Sequence, residues 1–141
     1  MKYKFLEHTA DIAFEAYGKD LNELFQNAAL AVGATTIPTI EKVETKEAKE
    51  IELTADSLGQ LLIDFLEELV FIKDTLHLVF SDIQCAVSKA QEHAHIRATL
   101  KGEKIDDKKH ELGNDIKAVT YHDFKLEETK EGWKCYIILD I

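Results

Sequence analysis

The sequence predicts an α+β fold, a mainly antiparallel sheet with two principal helices packed on one face. Three observations carry that expectation. Residues 57–75 place Leu58, Leu61, Leu62, Phe65, Leu69 and Ile72 in one stripe at helical spacing, and a second, shorter stripe lies near residues 21–32. Most of the remaining apolar residues alternate at the strand period. Everything after the second helix reads as strand, so the order is not the strand–helix–strand repeat of a parallel sheet.

Residues 2–8 and 11–17 read as short strands joined or kinked at Thr9 and Ala10. In the second, Ile12, Phe14 and Ala16 alternate with Asp11, Ala13 and Glu15, the pattern of a half-buried strand. Gly18 ends it. Asp20 is placed to cap a helix, with Glu23 three residues on. Leu21, Leu24, Phe25, Ala28 and Val32 follow at helical spacing, and Thr35, Thr36 and Pro38 stop the run. Residues 39–50 are charged and aperiodic, a linker running into a strand near 47–54. Ser57 and Gln60 repeat the capping pattern ahead of the longer helix. Strands are then expected from Leu78 to Val87, over 92–102, over 115–128 and over 132–140. On the third of these, Ile116, Ala118, Thr120, His122, Phe124 and Leu126 are expected to share a face, which would bury His122. Gly132 marks a hairpin turn between the last two strands.

With 141 residues, the chain has the size of one domain, and 1–141 is read as such. A chain of this length buries roughly two thirds of its unfolded surface, enough for a real core. No stretch approaches the ~18 uninterrupted apolar residues of a membrane span. The opening MKYKFLEHTADIAF carries acids and a histidine and lacks the apolar centre of a signal peptide. Cys85 and Cys135 follow no metal-binding spacing and have no evident histidine partner. They are expected to be reduced core residues of a cytoplasmic protein.

The net charge of −10 repels phosphate backbones, which argues against autonomous nucleic-acid binding; such a surface accommodates a cation or a basic protein partner, and many domains are this acidic simply for solubility. No GxxxxGK[ST] loop, GxGxxG fingerprint or GxSxG elbow is present.

The most informative stretch is the last, WKCYIILDI. Asp140 lies on the face opposite Cys135, Ile137 and Leu139, next to the carboxylate of Ile141. Two carboxylates held by a strand end form a hard oxygen-donor set suited to Ca²⁺, Mg²⁺ or Mn²⁺, with Asp11 as a third candidate. The alternative is a solvated end-of-chain charge. His8 is either a hydrogen-bonded structural residue or a group that orients a carboxylate or ligates a metal. Lys117, in the strand-forming run IKAVTYH, is either a surface lysine or a charge that balances carboxylates and reaches a phosphate. His93 and His95, two apart on one strand, lack a nearby third ligand and read as exposed-face residues. His110 sits in the charged stretch DDKKHELG and reads as loop.

Several stretches in order resemble the archease family: HTADI at 8–12, LNELFQNAALAV at 21–32, LGQLLIDFLEELVFI at 58–72, KHELGNDIKAVTYHDF at 109–124 and the final DI at 140–141. The resemblance implies an accessory protein, not an enzyme. Its partner would be the RtcB-type tRNA-splicing RNA ligase. The activator promotes guanylylation of the ligase's active-site histidine, supports multiple turnover and can broaden nucleotide triphosphate use. It also implies a divalent metal ion, calcium among the candidates, held by Asp11, Asp140 and the Ile141 carboxylate, with Lys117 involved in activation. Direct sequence-specific nucleic-acid binding and membrane association are not implied. One departure stands out: the family commonly follows HTADI with glycine, whereas this chain has Ala13. The competing readings are a stand-alone metal-dependent phosphoesterase and a chaperone-like binding module.

Overall fold

The computed structural model describes residues 1–6 and 11–141. Among them the chain forms β1 (Tyr3–Leu6), β2 (Ile12–Gly18), α1 (Leu21–Thr36), β3 (Glu47–Ala55), α2 (Leu58–Leu76), β4 (Leu78–Lys89), β5 (Ala94–Lys104), β6 (Ala118–Thr129) and β7 (Gly132–Asp140). The expected class holds. The strands divide into two antiparallel sheets, one of order β1-β2-β7-β6 and one of order β3-β5-β4. α1 packs on β2 and β4, and α2 on β6 and β3, so the helix pair joins the two sheets through one core.

Both helices start where their capping residues dictate. The Asp20 carboxylate accepts from the Glu23 amide at 2.9 Å, and the Ser57 hydroxyl accepts from the Gln60 amide at 3.1 Å. α2 ends at His77, which adopts the left-handed conformation common at helix C-termini. The α2 stripe is fully inside: Leu61, Leu62, Ile63, Phe65 and Leu66 are wholly buried against Phe14, Phe25, Ile96 and Leu100. Each such side chain contributes roughly 1.5–3 kcal/mol of transfer free energy. The charged stretch after α1 is more ordered than its composition suggests. It contains a 3-10 turn, Ile40–Lys42, and Ile40 and Val43 pack with Ala34, Ile37 and Val79 in a second, smaller cluster.

β6 differs from the expectation. It begins only at Ala118, and its pairing with β7 slips between Thr120 and Lys125. Thr120 faces Ile138 but Lys125 faces Tyr136, so β6 spends five residues where β7 spends two. The odd number of extra residues reverses the facing of everything that follows. Val119 is therefore the buried residue at the start of β6, while Ala118 and Thr120 take the other face. His122, expected to be buried, is exposed on the bulge, next to Asp123 at φ 54°. Period-two patterning cannot detect this, because the bulge breaks the count without an apolar marker. The β6–β7 hairpin turns at Gly132, as expected, with φ 126°.

Candidate functional site

The site is built at one end of the four-stranded sheet, where its central strands β2 and β7 finish. Their last paired residues are Ile12 and Leu139. One residue beyond that pair stand Asp11, in the bend that precedes β2, and Asp140, the last residue of β7. Phe14, Ile137 and Leu139 are fully buried in the core, so a one-residue slip would drive Asp140 inward and Leu139 out. The placement of Asp11 and Asp140 at the same sheet end is thus fixed by apolar burial rather than by the acids themselves. Asp11, Asp140 and Ile141 are half-buried and Lys117 is exposed. Behind Asp140, on its own face, Ala13 and Ile138 are buried. Ala13, at the position where the glycine would stand, is ordinary strand, paired with Ile138.

The other flank of β7 is equally constrained. Ala118 pairs with Asp140, and the Lys117 amide donates to the Asp140 carbonyl at 2.7 Å. The register therefore brings Asp11, Asp140, Ile141 and Lys117 to a single sheet end. Asp11 has a further interaction partner within the protein. His8 lies outside the described residues. Among the described residues, no three His, Cys, Asp or Glu side chains converge. The set expected from the sequence has only two such side chains, Asp11 and Asp140, its third donor being the main-chain carboxylate of Ile141. All three donors are carboxylate oxygens, which suit hard cations over zinc or copper.

Lys117 reaches this place through the segment between β5 and β6, whose anchoring the sequence did not reveal. Glu103 and His110 are both buried. His110 Nδ1 accepts from the Asp106 amide at 3.0 Å, which leaves Nε2 to donate to Glu103 at 3.1 Å. Lys109 Nζ donates to the same carboxylate at 2.7 Å, and the Glu44 amide does so at 2.7 Å. Burial works against the charged form of Glu103, but the bonds from Lys109, Glu44 and His110 outweigh it and hold its carboxyl down at about 2. His110 is thus in a loop, as expected, and is a structural anchor there.

Further along, the Gly113 and Asn114 amides donate to the Thr36 and Thr35 carbonyls at 2.7 and 2.8 Å. These are C-terminal carbonyls of α1 that have no partner within the helix. Only glycine fits this approach, since a Cβ on residue 113 would stand 2.4 Å from the Thr35 carbonyl oxygen. Lys73, buried near the end of α2, then binds Asp115 and donates to the Ile116 carbonyl at 3.0 Å. Lys117 follows directly.

The bulge of β6 lies beside the same sheet end. It exposes Tyr121, whose hydroxyl is bonded by the Gln60 side chain of α2. The remaining candidates lie elsewhere. His95 bonds Glu52 at 2.8 Å on the exposed face of the other sheet, next to Arg97, and His93 is exposed. Cys85 and Cys135 are free and buried, and burial pushes both thiols up to about 12, as befits inert core residues. No helix among the described residues is long and apolar enough to cross a membrane.

Comparison with known proteins agrees over nearly the full length. The model of the Archease protein family matches residues 3–141. Protein archease of Pyrococcus abyssi is 40% identical over 141 residues, covering 99% of both chains. Protein archease of Methanosarcina mazei is 42% identical over 141 residues, with 99% of this chain and 96% of the relative covered. The solution structure of Methanobacterium thermoautotrophicum protein 1598 superposes with a TM-score of 0.82 at 35% identity, covering 99% of this chain and 98% of that one. The crystal structure of a Thermotoga maritima archease, described as a possible chaperone, shares the fold with a TM-score of 0.61 at 23% identity, covering 98% and 96%. A family model over all but the first two residues, and relatives at about 40% identity across their whole length, lead to one conclusion: the chain belongs to the archease family.

Proposed function

We propose that this protein is an accessory activator of an RtcB-type tRNA-splicing RNA ligase in the cytoplasm. In this reading the whole chain, 1–141, works as one domain. It promotes guanylylation of the ligase's active-site histidine, sustains multiple turnover and widens the choice of nucleotide triphosphate. The observation that carries the reading is the meeting of Asp11, Asp140, Ile141 and Lys117 at one sheet end in a member of the archease family. The net charge of −10 supports a protein partner with a basic RNA-binding surface over direct binding of RNA.

The carboxylates of Asp11, Asp140 and Ile141 fit a divalent ion of the Ca²⁺, Mg²⁺ or Mn²⁺ type by their chemistry. Bound there, such an ion supplies positive charge for a triphosphate during phosphoryl transfer. The chain's own residues do the positioning. Leu139 and Ile137 hold the end of β7 in register. The Lys117 amide fixes the Asp140 main chain, and the Lys117 ammonium balances the acids or meets phosphate oxygens. Phosphoryl transfer depends on positioning and charge neutralisation, so an activator needs no nucleophile of its own.

The test is RNA ligation by limiting RtcB-type ligase with GTP and Mn²⁺. Wild-type protein is expected to drive many turnovers, whereas Asp140→Ala, or a chain extended beyond Ile141, does not. If wild type leaves turnover unchanged, the reading fails. Phosphate-ester hydrolysis by the protein alone would then favour the phosphoesterase, and rescue of unrelated unfolded clients would favour the chaperone-like module.

A further inference from the structure

We propose that Lys73 is a positioning residue for the sheet-end site. It acts by fixing the 113–117 segment that delivers Lys117, and not by adding stability. The function served rests on the reading above, whereas the positioning itself stands on geometry.

Lys73 is 7% exposed, an unusual burial for a lysine. Its side chain lies against a small apolar cavity bordered by Val32, Leu69, Leu78 and Ile116. Its ammonium donates to the Ile116 carbonyl, binds the Asp115 carboxylate and lies 3.0 Å from Asp74. Two of its three protons are thus committed to Asp115 and Ile116, with the Asp74 carboxylate beside the third.

The energetics do not favour this arrangement for stability. Taking an ammonium out of water is costly, and its main partner, Asp115, has a side chain 81% exposed and gains little from the pair. A methionine would fill the same apolar surroundings without that cost, and because Asp115 stays in water its loss as a partner leaves no buried charge unpaired. What methionine cannot do is hold the Ile116 carbonyl. Ile116 is the residue between the Asp115 contact and Lys117, whose amide bonds the Asp140 carbonyl at 2.7 Å. The segment is fixed on one side by α1 through Gly113 and Asn114 and on the other by α2 through Lys73 alone among the side-chain hydrogen bonds of the described residues. Removing the ammonium leaves the approach to Lys117 held by Ile116 packing and by one amide bond to the strand it must position.

The experiment compares wild type with Lys73→Met by amide hydrogen exchange and thermal unfolding, and then in the ligation assay. Lys73→Met is expected to unfold within a few degrees of wild type, the lost carbonyl bond being offset by the ammonium no longer buried. Its Lys117 amide is expected to exchange at least about fivefold faster, the loss of roughly one hydrogen bond's worth of local protection. Exchange in the middle of β7 stays unchanged. Activation of the ligase is expected to fall through lower turnover, with the protein concentration for half-maximal effect less affected. Unchanged exchange at Lys117 would overturn the proposal. So would faster exchange accompanied by full activation, because the positioning would then serve nothing. If wild type itself does not activate the ligase, the functional reading fails while the exchange result still decides the positioning. Should Lys73→Met not fold, Lys73→Gln keeps a polar end in place but is one atom shorter and loses the ammonium, and faster Lys117 exchange is expected there too; unchanged exchange in that variant overturns the proposal.

Discussion

The placement of Asp11 and Asp140 at the same sheet end predicts a stability effect whose sign depends on metal. Replacing Asp140 with asparagine keeps the shape of the side chain and removes one of two negative charges. Like charges that close the same end of two neighbouring strands disfavour one another. For half-exposed carboxylates in a water-like dielectric, the repulsion is about 1 kcal/mol at most. In chelator, Asp140→Asn is therefore expected to match wild type or exceed it, by up to about 3 °C in melting temperature for a chain of this size. With Ca²⁺ or Mn²⁺ the order reverses. At a free ion concentration about 100 times the dissociation constant, binding to the folded state alone stabilises wild type by about 2.7 kcal/mol, or roughly 8 °C. A variant with two of the three donors gains far less. The assay is thermal unfolding of both proteins in chelator and across a titration of each ion at constant ionic strength. Equal metal-induced shifts in the two proteins would refute the proposed ligand set. A variant much less stable in chelator would refute the repulsion argument, because Asp140 would then be making a structural contact stronger than the charge it carries.

Further outcomes follow from the segment that leads to Lys117. Gly113→Ala places a Cβ 2.4 Å from the Thr35 carbonyl oxygen, so the segment must withdraw and release its bonds to α1. A loss of about 1–3 kcal/mol in urea unfolding is expected, with the curve slope unchanged. The Glu103 carboxyl, held at about 2 in the folded protein against an ordinary 4.5, contributes stability that is present above pH 4.5 and lost as pH falls toward 2. Glu103→Gln is expected to lower stability at neutral pH and to flatten the decline between those values. A wild-type decline as shallow as the variant's would show that the Lys109, Glu44 and His110 contacts do not hold that charge.

Much of the fold was legible because apolar periodicity and capping chemistry are local. The α2 stripe, the Asp20 and Ser57 caps and the turn at Gly132 each follow from residues a few positions apart, and each holds. What escaped was non-local or broke the period. The β6 bulge moved His122 from an expected core position to the surface. The Glu103–His110 bond joins residues whose charged surroundings, DDKKHELG, suggest only a solvated loop. The pairing of Lys73 with Asp115 spans 42 residues, and no spacing rule links an interior helix lysine to an acid that far along the chain. Asp11, Asp140 and Lys117 could be named as candidates from strand facing and resemblance. Their approach at one sheet end required the β2-β7-β6 order, which alternation within single strands does not specify.

That order also decides how firmly the acids at the sheet end are held. A carboxylate on an edge strand is held by one neighbour and can move with it. β7 is central, so Asp140 is bracketed by β2 through the Ile12–Leu139 pair and by β6 through Ala118 and the Lys117 amide. Neither flank can shift without exposing Leu139 or Val119, both buried in the core. The two acids are therefore kept at one sheet end by apolar burial further along the same strands. Such a preorganised pair loses little on binding a cation, because the ordering has already been done by folding. The Lys117 side chain is different: its amide is fixed, but its stem and ammonium are exposed and can swing. Two carboxylates held by the sheet beside an exposed lysine are the arrangement that the proposed activator role would use.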